Sequence, residues 1–247
     1  MNTKPIHYLI ITSILLVFSE ALIHFSSVKT GIIAYITVLI LLTILFTLKK
    51  NIPEEYTRVF QIITLIPLYR IITLSIPTEL ITYEGYLIST TIAILAGSLV
   101  LVHHLKIPFA DIGLILKDPK LQILCIVAGG VIGYLEWKII NPQQLELLIP
   151  GVLILTLCAF TDELIFRGLI QQSIEKAQGS SFIAIFLTSI LYTTFFISFL
   201  FSLELLLVFL VSVFYGYIVS KSKSIIGVSI SHALVNICCL VVIPYFS

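Results

Sequence analysis

The sequence predicts an all-α fold, a polytopic transmembrane helical bundle of eight or nine spans, and three observations predict it. Of its 247 residues 59% are hydrophobic and only 11% charged, with a mean hydropathy of +1.14; so few charges cannot screen that much apolar surface from water in a soluble domain. Apolar runs recur at the ~17–25 residues needed to cross a hydrocarbon core. The basic residues between the runs fall almost entirely on one side when the runs alternate across a bilayer.

The runs lie near 6–26, 31–48, 58–80, 85–105, 121–140, 151–174, 181–201, 203–220 and 225–246. The first follows Lys4, as a secretory leader would, but it continues through Glu20 to about Phe25 and offers no small-x-small cleavage site. It is expected to stay as a span. The second is uninterrupted and ends at Lys49-Lys50. The third is the weakest, because Arg70 lies between Pro67 and Pro77 and either proline can break or kink a helix. Without it the total is eight. The fourth ends at His103-His104, expected to be solvated at the interface, as are His7 and His24. The connection 106–120 mixes charges with apolar residues and is too short to span, which predicts an interfacial segment. In the fifth run Gly129 and Gly133 form a small-x-x-x-small pair that lets a neighbouring helix approach closely.

With nine crossings, Lys4, Lys49, Lys50, Arg58, Lys106, Lys117, Lys120, Lys176, Lys221 and Lys223 share one side, and only Lys29 and Lys138 the other. That asymmetry predicts an integral protein of the plasma membrane with its N-terminus in the cytoplasm. A net charge of +1 and the lack of a basic stripe give no reason to expect nucleic acid. Cys125, Cys158, Cys238 and Cys239 all sit in apolar runs without Cys-x-x-Cys spacing, so neither a disulfide framework nor a zinc site is indicated, and no cofactor or metal is expected. No repeat or linker divides the chain. Residues 1–105 read as N-terminal transmembrane helices and 106–247 as a core, together one membrane domain.

The sixth run is interrupted by Thr161-Asp162-Glu163-Leu164-Ile165-Phe166-Arg167-Gly168. A charge near the bilayer centre costs at least ~2.5–3.5 kcal/mol, so three together need one another, a wet cavity or a function. Glu163 and Arg167 are four apart with the acid first, the favourable order for a helical ion pair. Asp162 points about 100° away around the helix, which leaves it without that partner. In the ninth run His232 and Asn236, also four apart, share one helical face. Both want polar partners inside the membrane, and the acids of the sixth run are the candidates. The plain alternative is an interhelical clasp without chemistry, worth ~0.6–2 kcal/mol. Glu20, Arg70, Glu136 and Glu204 lie near run ends or breaks and are expected to snorkel or mark a boundary.

Taken together, Asp162-Glu163-x-x-x-Arg167 and His232-x-x-x-Asn236, with Val213-Phe-Tyr-Gly216-Tyr217 and Ser224-Ile225-Ile226 leading into the last run, resemble the CPBP (CAAX protease and bacteriocin-processing, or Abi) family of intramembrane proteases. The resemblance covers roughly residues 110–240. It implies that 106–247 is a CPBP-like core in which an acid activates water for attack on a peptide bond, while histidine and asparagine orient it and stabilise the oxyanion. Carried over, Asp162 stands at the base position, Glu163 and Arg167 set the helix electrostatics, and His232 and Asn236 form the closing motif. The substrate implied is a membrane protein or lipidated peptide met in the lipid bilayer.

Two departures accompany the resemblance. The base is aspartate, which withdraws the carboxylate by ~1.5 Å where ~1 Å can cost on the order of a hundredfold. The family's second motif, an aromatic followed four residues later by histidine, falls on Tyr192 and Phe196, or on Phe195 if the loop differs by one residue. Phenylalanine binds neither a proton nor a water, so Tyr192, Thr193 or Thr194 is expected to substitute as donor. Two alternatives stand beside acid-activated water. Cys158, one turn before Asp162, would be a thiolate nucleophile with His232 as base and Arg167 as anion stabiliser, a set that resembles the myxosortase-type and exosortase-like enzymes. Otherwise the chain is a catalytically inactive relative serving as a membrane binding or immunity protein.

Overall fold

The computed structural model describes residues 6–48, 52–140, 148–198 and 202–246. Among them the chain is helical and carries no strand, a polytopic all-α bundle as the composition predicts. Among the described residues eight helices are long and apolar enough to cross a membrane, the architecture of an integral membrane protein. Lys4, Lys49 and Lys50, part of the charge asymmetry, lie outside the described residues.

Helices α1 (Ile6–Phe25) and α2 (Val28–Leu48) pack as a hairpin. The third span is retained, but as two pieces, α3 (Glu54–Ile63) and α4 (Leu65–Ser75). Proline is tolerated only in the first helical turn, since further in its ring meets the carbonyl four residues back. The break at Thr64 resets the count so that Pro67 falls in the first turn of α4. Helix α5 (Tyr83–His104) follows, and Thr82 caps its start by accepting from the Gly85 N–H.

The 106–120 connection holds a short 3₁₀ turn, Phe109–Ile112. Exposed Phe109 and Leu116 flank the ion pair Lys176–Asp111 at 2.7 Å, the mixture expected at an interface. Helix α6 (Pro119–Ile140) then packs along the last long helix, α11 (Ile226–Ile237). A Cβ on Gly129 would stand 2.6 Å from the Ser231 carbonyl oxygen, and one on Gly133 3.0 Å from that of Val235. The two glycines thus let α6 lie directly on the backbone of α11. Gly129→Leu is expected to force these helices apart at a cost of at least ~1–3 kcal/mol, read as a lower unfolding midpoint of the detergent-solubilised protein.

Helix α7 (Leu148–Glu163) runs into a π-helical stretch, Leu164–Gln171, and then into α8 (Gln172–Gln178). Helix α9 (Ser181–Thr194) is shorter than the run 181–201 that predicted a seventh span. Its end tightens into three-residue turns, with the N–H groups of Phe195, Phe196 and Ile197 donating to Tyr192, Thr193 and Thr194. The Thr194 hydroxyl donates to the Ile190 carbonyl, a side-chain bond that competes with a regular helix. Apolar sequence therefore continues past Thr194 while the helix does not. Helix α10 (Ser202–Ser222) packs on α9 and α6, α11 on α6 and α7, and a second π stretch, Cys238–Val242, leads into α12 (Ile243–Phe246).

Candidate active site

Asp162 and Glu163 occupy the last turn of α7, where the helix widens into its π stretch, a distortion frequent at functional sites. Glu163 points inward and only 1% of it is exposed. Its Oε1 accepts from Nδ1–H of His232 at 2.8 Å, and its Oε2 lies 3.6 Å from Nε of Arg167. Arg167 is equally buried; its Nη2 donates to the Ser212 hydroxyl at 3.0 Å, and its guanidinium lies 5.3 Å from the centre of the Tyr192 ring. The helical ion pair expected from the spacing is thus present, and it extends to α10 and α11. A carboxylate that holds Nδ1–H fixes the imidazole tautomer and leaves Nε2 with its lone pair. That nitrogen faces the Tyr192 hydroxyl at 3.5 Å.

Ser231, beside His232, braces α11 against α6. Its hydroxyl donates to the Cys125 carbonyl at 2.8 Å, so the Tyr215 hydroxyl 3.0 Å away is the donor to Ser231. The imidazole stands between the Tyr192 and Tyr215 rings at 6.2 and 6.1 Å.

A cavity of about 570 Å³ lies against this network. Asp162, His232, Asn236, Tyr192 and Cys158 all line it, so the structure brings these sequence-selected residues to one place. Glu163 and Arg167 sit behind the wall. Thr193 and Thr194 do not line it; Thr194 is engaged with Ile190, and the Thr193 hydroxyl is buried with no hydrogen-bond partner among the described residues. Of the three expected substitute donors, Tyr192 alone among them reaches His232. Phe196 and Phe195 both line the cavity, Phe196 against Tyr192 and Phe195 against Phe166 and Tyr69. Neither supplies a donor.

Asp162 is not left without a partner, as the helical spacing alone implied: the Tyr69 hydroxyl of α4 donates to its Oδ1 at 2.8 Å. Cys158 Sγ lies 3.0 Å from the Thr91 hydroxyl of α5, while His232 and Arg167 are engaged with Glu163. The thiol thus has a neutral neighbour where a thiolate nucleophile needs a cation.

Two intramembrane charges read as boundary markers form a buried pair instead. Arg70 donates from Nε to Oε2 of Glu20 at 2.9 Å; Glu20 also accepts from the Tyr35 hydroxyl at 2.7 Å and from the Ser198 hydroxyl. Glu20 is 0% exposed. Neither side chain snorkels, because each neutralises the other inside the bundle, Glu20 fully buried and Arg70 at the edge of the cavity described above. Glu136 lines the cavity rather than a boundary. Tyr69, Thr91 and Ser212 escaped the sequence reading, and Glu136 was assigned to a boundary instead of the site. Hydroxyls are frequent in apolar helices and name no partner, whereas Glu136 had a visible signal, a carboxylate in the fifth run.

Side chains from both ends of the chain therefore face one cavity, largely apolar, with an acid and an imidazole on its wall. Residues 144–238 match the family model described as type II CAAX prenyl endopeptidase Rce1-like. The Rce1-like match covers under half of the chain and is consistent with CPBP family membership, as the motifs implied. It supports a membrane-embedded CPBP-type endopeptidase in general terms. Asp162, Glu163, Arg167, Tyr192, His232 and Asn236 fall inside the Rce1-like region, whereas Tyr69, Thr91 and Glu136 lie outside it. No curated protein and no solved structure matches the chain.

Proposed function

We propose that the protein is an intramembrane endopeptidase that cleaves a membrane-associated or lipid-anchored peptide with water activated by Asp162. The observation that carries this reading is the shared wall: Asp162, His232 and Asn236, from the sixth and last long helices, line one cavity. In the reaction, water gives one proton to the Asp162 carboxylate while its second O–H is held by Nε2 of His232, whose tautomer Glu163 sets. The water oxygen attacks the scissile carbonyl carbon. Donors on the cavity wall, the Asn236 carboxamide and the Tyr192 hydroxyl, receive the oxyanion, the interaction that supplies much of the rate in acyl transfer. Collapse breaks the C–N bond, and Asp162 returns its proton to the leaving amine. The membrane is taken as the plasma membrane, and the lysine asymmetry favours a cytoplasmic N-terminus if the short α9 crosses as well, which the Lys223–Glu175 ion pair at 2.6 Å supports by holding Lys223 on the side of Lys176.

The Rce1-like description makes a prenylated CAAX peptide the first probe. Purified protein in nanodiscs is expected to cleave that peptide, and Asp162→Ala and His232→Ala to stop cleavage. Cys158→Ser is expected to leave the rate unchanged; its loss of activity would move the nucleophile to the thiol. Wild-type protein inert toward prenylated and acylated peptides alike would overturn the reading.

A further inference from the structure

Asp162 has one hydrogen-bond donor among the described residues, the Tyr69 phenol, and that phenol comes from α4, outside the region that matches the Rce1-like family model. We infer that Tyr69 is the positioning residue for the Asp162 carboxylate, held in register by the buried Arg70–Glu20 pair next to it in the chain. The inference rests on the proposed activity, and three observations carry it.

The bond fills one oxygen of the carboxylate and fixes its rotation, because the phenol is rigid and two χ angles place it. Tyr69 is itself fixed: its ring meets Phe195 edge-on at 5.2 Å, and Phe195 meets Phe166, one residue before Arg167, at 5.4 Å. The following residue, Arg70, ties α4 to Glu20 of α1, and through Glu20 to Tyr35 of α2 and to Ser198 just beyond α9. A buried ionic clamp of this kind allows α4 little rotation or sliding, since any shift leaves one charge without its partner. A carboxylate aimed by a clamped phenol accommodates the shorter aspartate side chain, because the second oxygen is presented to the cavity in one orientation.

Tyr69→Phe removes the hydroxyl and keeps the ring against Phe195. On the prenylated peptide, kcat is expected to fall ~10- to 100-fold with KM unchanged, the cost of a loosely aimed reacting group. A second measurement needs no substrate. Tyr69→Phe should lower the unfolding midpoint of the wild-type protein and leave that of Asp162→Ala unchanged, because the bond is already lost there. Unaltered kcat in Tyr69→Phe, or equal midpoint shifts in both backgrounds, would overturn the inference. If the midpoint coupling is found in a chain that cleaves no peptide, the proposed activity fails and Tyr69 is a structural clasp rather than a positioning residue, which overturns the inference by a separate route.

Discussion

Asp162→Asn is expected to slow peptide cleavage by ~10²- to 10⁴-fold, the contribution typical of a positioned general base, while the protein remains folded in the membrane. The amide is nearly isosteric with the carboxylate, and its oxygen still accepts from the Tyr69 hydroxyl, which lies 2.8 Å from Oδ1 in the native chain. What it cannot do is take a proton from water. Loss of rate with unchanged expression and unfolding midpoint therefore separates chemistry from structure. Assay of the purified variant under single-turnover conditions makes the comparison independent of product release.

Arg167→Ala is expected to have the largest effect on stability. Its guanidinium lies 3.6 Å from Glu163, donates to Ser212 and is 1% exposed. Removing one member of a buried pair strands the other, at ~3–5 kcal/mol. Glu163 would then keep only His232, and the link to α10 would be lost. Arg167→Lys keeps the charge but not the planar fork that serves Glu163 and Ser212 together, so its loss should be smaller. Denaturant titration of the detergent-solubilised variants measures both, and an Arg167→Ala midpoint equal to wild type would contradict the geometry.

Much of this was legible in the sequence, for reasons that also mark where legibility stops. Helices are readable because hydrocarbon leaves backbone groups no partner outside the helix, so an apolar run of bilayer length has one solution. The rule gives no warning after Thr194, where the sequence stays apolar while the backbone tightens, and at Thr64 the warning came from Pro67 and not from hydropathy. Asp162, Glu163, Arg167, His232 and Asn236 were readable because polar groups in lipid are costly enough to need a reason. Their partners were readable within one helix, Glu163 to Arg167 at four residues, and between the sixth and last runs, where the acids expected to meet His232 supply Glu163, but not for Glu20 to Arg70 at fifty or Tyr69 to Asp162 at ninety-three. Two opposite charges in separate apolar runs were a usable sign of the Glu20–Arg70 pair. Nothing in the letters distinguishes Tyr69 from the chain's other tyrosines.

The central claim is that Asp162 and His232, brought together from helices seventy residues apart, act on one bound water as a unit. Single-turnover cleavage by Asp162→Asn, His232→Ala and the double variant tests it. The account predicts a double variant no slower than the slower single, because either loss already disables the shared step. Losses that multiply would show two groups working independently and would contradict it.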